Sequence, residues 1–283
     1  MRGIYSPVKT YSVTLGGSSL QQSSEVLPGF GALEGLLIEL TVSLTGATAS
    51  QTSNTIDNVI AALQLDDKYG HSALDITGTD IANIQRVLSE TGYVIAAPTI
   101  TTSSTGTGSA TYATFIPCTM SAQDMNGVLK VKFAAASSLV NTALTSAGTV
   151  AVTMVVRAVN TPAARQTIRV KATTPSSAAG DNAWGAYLPQ GLECLALFVD
   201  LNESVLDHAS VFSGGAALMN QSPAEDFEVM DTIFNLGNSS SNLLFFRLPV
   251  FVIDSTTILN VNLSTFVGAP RLYSFATTPQ KRN

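Results

Sequence analysis

The chain has 283 residues, with 14 Lys and Arg against 20 Asp and Glu and a formal net charge of −6. Hydrophobic residues make up 45% and charged residues only 12%, about half the charged share of an ordinary soluble domain. This balance excludes a general nucleic-acid surface, which needs clustered Lys and Arg, and it leaves little of the charge that keeps lone proteins apart. The length suffices for one large or two ordinary domains, each with a real core. Much of the outer surface is therefore expected to meet another protein, the alternative being a Ser/Thr-rich exterior that is polar without being ionic.

At the start, Met1 to Thr10 carries Arg2, Pro7 and Lys9 with no apolar core segment, so no signal peptide is expected there and the product is expected in a cytoplasm. No run of 18 apolar residues occurs anywhere. Tyr11-Ser-Val-Thr-Leu15 alternates as a half-buried strand does. Gly29-x-Gly31-x-x-x-Gly35 has one residue too many for a dinucleotide fingerprint and precedes the strand Leu36 to Leu44, so it is expected to be a turn. Thr45 to Thr55 has the composition of a polar loop. After Ile60 to Asp67 come His71 and the segment Leu74 to Ile81.

Asp80 to about Glu90 predicts a helix, with Ile81, Ile84, Val87 and Leu88 on one face and Gly92 beyond. A second Ser/Thr loop, Thr99 to Thr111, leads to the strands Tyr112 to Pro117, Val128 to Phe133 and Thr149 to Val156. A proline-containing turn at Asn160 to Ala164 places the domain junction between 160 and 161, giving domains of 1–160 and 161–283. In the second, Trp184 sits in the polar stretch Gly180 to Gly185, ahead of the strands Leu195 to Val199 and Val205 to Gly215. Ser222-Pro-Ala-Glu225 has the form of a capping box opening a helix through Phe227, Met230, Ile233 and Phe234. The strands Leu243 to Phe246 and Ile258 to Leu263 come next, and Lys281-Arg282 closes the sequence. Many short strands with polar turns argue for all-β sandwiches or barrels.

Each expected helix leads into the same succession: a polar loop, a strand, a turn and a second strand. Leu129-x-Val131-x-Phe133 matches Leu259-x-Val261-x-Leu263, and Gly31-Ala-Leu-Glu-Gly-Leu-Leu matches Gly191-Leu-Glu-Cys-Leu-Ala-Leu. Self-similarity of this kind marks a duplicated unit.

Catalytic and metal-binding candidates are few. His71 and His208 lack zinc spacing, and each neighbours an aspartate, Asp67 or Asp207, in what are expected to be corresponding strand-end turns. No Gly-x-Ser-x-Gly elbow or phosphate-binding P-loop occurs. Cys118 and Cys194 lie in apolar stretches and are expected to be buried thiols. The sequence therefore predicts no enzyme, no cofactor and no metal site. Asn202, Asn220, Asn238 and Asn262 each begin Asn-x-Ser, which without a secretory leader carries no expectation of glycosylation.

The segments Ile60 to Asp67, Leu74 to Ile81 and Val205 to Gly215, each set within a strands–helix–loop–strands half, make the chain resemble the double jelly-roll major capsid proteins of tailless icosahedral viruses. That family includes corticoviruses, tectiviruses and the adenovirus lineage. The resemblance covers nearly the whole chain and is one of architecture, so it transfers no functional residue.

It implies two tandem eight-stranded jelly-roll sandwiches, each with one short inserted helix. It further implies a bacteriophage-like homotrimer forming a pseudo-hexagonal capsomer in the virion, assembled in the host cytoplasm. Neighbouring capsomers, penton or minor capsid proteins and an internal viral membrane are the partners it suggests. Candidate contact residues are Arg2, Lys9, Lys281 and Arg282, as basic ends that could face inward, and Trp184, as either an interface anchor or a plug over the sandwich end. The competing functions are a tandem β-sandwich carbohydrate-binding or adhesin module, and another virion part such as a vertex protein.

Overall fold

The computed structural model describes residues 4–16, 21–27, 31–47, 52–88, 94–102, 106–140, 144–223, 243–246 and 248–279. The chain divides into two compact units, Met1–Gln166 and Thr167–Asn283.

The first unit contains β1 (Ile4–Leu15), β2 (Gln21–Val26), β3 (Ala32–Ala47), β4 (Thr52–Thr55), β5 (Ile60–Asp66), β6 (Ser72–Ile76), α1 (Asp80–Leu88), β7 (Thr99–Thr101), β8 (Gly108–Met120), β9 (Val128–Phe133) and β10 (Leu144–Thr161). One sheet runs β1-β10-β3-β8 and the other β2-β9-β5-β6, while β4 and β7 form a small separate ribbon. Alternation decides which side is dry. Leu36, Ile38, Leu40, Val42 and Leu44 of β3 are fully buried beside Val150, Val152, Met154 and Val156 of β10. From the opposite sheet come Leu63, Leu65, Leu129, Val131 and Phe133. Tyr11 of β1 meets Phe133 of β9 edge to face, with ring centroids 5.9 Å apart, across this core.

The second unit contains β11 (Arg169–Thr173), β12 (Gly180–Ala183), β13 (Glu193–Asp200), β14 (Val205–Ser213), β15 (Ala216–Pro223), β16 (Leu243–Phe246), β17 (Phe251–Val252), β18 (Ile258–Thr265) and β19 (Arg271–Thr277). Its sheets run β11-β19-β13-β16 and β12-β18-β14-β15, with the short β17 added to β13. Leu197, Val199 and Leu272 from one sheet share a core with Ala209, Val211, Leu259, Val261 and Leu263 from the other.

The strands β1, β2, β3, β5, β6, β8, β9 and β10 of the first unit correspond in turn to β11, β12, β13, β14, β15, β16, β18 and β19. The two units share the same strand order in both sheets, with successive strands crossing between sheets except at the β5–β6 and β14–β15 hairpins. The matched runs at Leu129 and Leu259 fall in equivalent strands, β9 and β18. Each unit is thus an eight-stranded roll among the described residues, and the fold is a double jelly roll.

Several local expectations change. The strand expected at Tyr11 begins at Ile4, because β1 pairs with β10 along its whole length, from Ile4 opposite Asn160 to Leu15 opposite Val150. Thr45, Ser109 and Thr111, expected in loops, are exposed strand residues. The first inserted helix is α1. Ser222 and Pro223, expected to open the second, instead end β15 opposite Ala209 and His208; β15 is an edge strand, the position in a sheet that tolerates proline. The remainder of that expected helix lies outside the described residues.

Candidate assembly surfaces

Of the basic residues singled out from the sequence, Arg2, Lys281 and Arg282 lie outside the described residues. Lys9 projects from β1, where its ammonium pairs with the Glu25 carboxylate of β2 and lies 5.8 Å from the Tyr11 ring centroid. It ties the two sheets together at the surface, an exposed pair contributing at most about 1 kcal/mol.

Trp184 is 0% exposed and packs within the core of the second unit. The chain turns inward after β12: the Trp184 amide donates to the Leu259 carbonyl at 2.7 Å, and its own carbonyl accepts from Tyr187 at 3.0 Å. The next residue must be small, since a Cβ on Gly185 would lie 2.5 Å from the Thr257 carbonyl oxygen. The indole Nε1 has no hydrogen-bond partner. Polar flanking residues disguised this position, because the backbone turn that sends the ring inside has no hydrophobic signature.

The ionisable groups serve turns and strands. Asp67 Oδ1 accepts the backbone N–H groups of Tyr69 and His71, both at 2.9 Å, and its Oδ2 lies 3.4 Å from His71 Nδ1. His208 does not occupy the corresponding turn as expected. It sits within β14, with Nδ1 2.8 Å from Asp207 Oδ2, and the equivalent turn is Gly214-Gly215. Asp66 accepts from Lys130 at 2.7 Å. Burial pushes the thiols of Cys118 and Cys194 up to about 12. Among the described residues, no group of three or more His, Cys, Asp or Glu is placed to hold a metal. No described helix is long and apolar enough to cross a membrane.

The distinctive surface is the outer face of sheet β1-β10-β3-β8. One row across its four strands is Ser12, Thr153, Thr41 and Thr111, and the next is Thr14, Ala151, Ser43 and Ser109. Many hydroxyls are satisfied laterally: Thr41 with Thr111 and Ser43 with Ser109, both at 3.1 Å, and Thr45 with Thr149 at 2.8 Å. Further along, Arg157 Nη1 meets Glu39 Oε1 at 2.9 Å, beside Leu37 opposite Phe115. The alternation within β3 foreshadows this face in the sequence. Its rows depend on the register of strands up to about a hundred and forty residues apart, which no local pattern encodes.

No protein-family model matches the sequence, and a search of curated proteins gives no match. Solved structures do match. The major capsid protein of the Sulfolobus turreted icosahedral virus superposes with a TM-score of 0.68 at 12% identity, covering 96% of this chain and 97% of that one. The PBCV-1 capsid protein, solved as a crystal structure fitted into the virophage Sputnik, gives 0.56 at 10% identity, covering 97% and 92%. A quasi-atomic model of the PBCV-1 capsid gives 0.52 at 11% identity, covering 98% and 84%. At these identities the likeness is one of fold. The double jelly roll foreseen from the sequence is the fold of the chain, and solved proteins that share it are viral major capsid proteins.

Proposed function

We propose that this chain is a major capsid protein: a structural subunit that forms trimeric, pseudo-hexagonal capsomers of an icosahedral virion and packs against neighbouring capsomers. The observation that carries this reading is the pair of successive rolls with identical strand order, filling the chain along nearly the full length of a viral capsid protein. Three copies supply six rolls, one from each of the two units of each chain, and six similar pillars tile a plane. The 12% charged content supports burial of the exterior against other subunits. A structural and non-catalytic role agrees with histidines engaged by adjacent aspartates and thiols sealed in the cores. We place the protein in the virion, with assembly in the host cytoplasm. Bacteriophage origin, contacts with penton or minor capsid proteins, and an internal membrane against the basic ends Arg2, Lys281 and Arg282 belong to the same reading.

Light scattering after size exclusion tests it. A trimer that grows into sheets or shells under the electron microscope is the expected result. A stable monomer that binds immobilised glycans would instead identify a carbohydrate-binding module.

A further inference from the structure

The outer face of β1-β10-β3-β8 has a chemistry that its counterpart in the second unit lacks. In the equivalent sheet Phe198, Tyr273 and Phe275 are buried aromatics, and Phe198 meets Phe275 edge to face at 5.5 Å. Duplication therefore does not explain the hydroxyl rows of the first roll.

We propose that this face is a docking surface for a second copy of this chain, which packs broadside against it and not by strand addition. The inference rests on the capsid reading and specifies where one of its contacts lies. Three observations support it. First, strand addition is obstructed at both edges of the sheet. On β1, Pro7 lacks an N–H and the register slips between Pro7 and Lys9. On β8, Pro117 lacks one too, and Gln85 of α1 donates to the Phe115 carbonyl at 2.8 Å.

Second, the face is inexpensive to dry. Its hydroxyls already bond to one another, so removing water leaves few of them unmatched. Its charged residues between the Thr149 and Arg157 rows, Glu39 and Arg157, cancel as a pair. A chain of net charge −6 repels its own copies, and a neutral face is where two of them approach without opposing like charges. A cationic partner would find no matching field here.

Third, the area is sufficient. Four strands about 4.8 Å apart and nine residues at about 3.4 Å each span roughly 19 Å by 31 Å, or about 600 Å². A contact burying that on each side totals roughly 1,200 Å², within the range of specific interfaces. In a three-fold ring the contact is heterologous, so this face meets a different flank of the next copy.

The test is association of the full-length chain by sedimentation velocity. Thr153→Arg places a charge mid-row on an outward position, and should raise the half-association concentration at least about 30-fold, the effect of burying one unpaired charge at a contact. Thr153→Val, and Thr265→Arg on β18 of the second unit, should stay within about threefold of the parent. A Thr153→Arg chain that assembles like the parent overturns the docking surface and leaves the capsid reading standing. A parent that remains monomeric overturns both. Should circular dichroism show the Arg variant unfolded, hydroxyl-radical footprinting of assembled parent protein decides: protection of Leu37 and Phe115 is expected, and unchanged reactivity refutes the proposal.

Discussion

Gln85 of α1 holds Phe115 of β8 through a side-chain-to-backbone bond of 2.8 Å, and so fastens the inserted helix to an open sheet edge. The same amide nitrogen also reaches Thr114 Oγ1, while the carbonyl oxygen accepts from the Ile95 N–H at 3.3 Å. The side chain is buried, so every one of these bonds replaces water. Gln85→Leu should therefore destabilise the first unit by about 1–3 kcal/mol, the cost of stranding the Phe115 carbonyl and Ile95 amide. Calorimetry should show a melting transition lower by several degrees, roughly 2–4 °C per kcal/mol. Gln85→Glu should do more harm at pH 7 than at pH 4, because a carboxylate would face the Phe115 carbonyl without a proton to donate. An unchanged melting curve would mean that the helix is held by its apolar face alone.

Trp184 is the only tryptophan in the chain, and it lies wholly within the core of the second unit. Its emission should be blue-shifted and resistant to acrylamide in the native state, and its red shift on denaturation should track that unit alone. Trp184→Ala removes the largest side chain of this core and should cost about 3–5 kcal/mol. Trp184→Phe should cost much less, because the indole N–H has no partner to lose. A quenchable native tryptophan, or a Phe variant as damaged as the Ala variant, would contradict this placement.

The contrast between Leu129 and Trp184 shows what a sequence can carry. Leu129-x-Val131-x-Phe133 and its counterpart at Leu259 were legible because strand alternation is local, and the shared order of elements around them exposed the duplication. The apolar face of α1 at Ile81 and Ile84 was legible for the same reason. The pairing of Ile4 with Asn160 was not, since the exposed half of an edge strand looks like a polar tail until its distant partner is known. His208 looked like a turn residue because Asp-His is polar, although it lies within β14, half-buried between exposed Asp207 and buried Ala209. The hydroxyl rows needed the register of four strands, a property of the fold and not of any segment.

The cysteines offer a chemical check on the cores. Burial raises Cys118 and Cys194 from an ordinary thiol value to about 12, in each case against a weaker opposing backbone hydrogen bond. Since the thiolate is the nucleophile, alkylation near pH 8 should be slowed about 1,000-fold by ionisation alone, and further by lack of access. Mass spectrometry should find both thiols unlabelled by iodoacetamide in the native protein and both labelled in guanidinium. Prompt modification of native protein at one equivalent would show that the corresponding core is open.

Alkaline pH should expose a weakness at Tyr11. Its phenol is pushed up to about 12, first by burial and second by the nearby Glu25 carboxylate, and its hydroxyl has no hydrogen-bond partner. The folded state therefore holds the neutral ring more tightly than the unfolded chain does. That stability is fully present below pH 10 and is lost as pH rises from 10 through about 12, to a limit of about 2–3 kcal/mol for this one group. Tyr112, also raised chiefly by burial, adds to the loss in the same direction. Tyr11→Phe removes the ionisation and breaks no bond, so it should leave the melting temperature near neutrality almost unchanged while shifting the alkaline unfolding midpoint upward. Titration at 295 nm should correspondingly lose one late-ionising tyrosine. If the variant instead unfolds at the same alkaline pH as the parent, the failure point lies elsewhere and the Tyr11–Phe133 contact is not where the first roll opens.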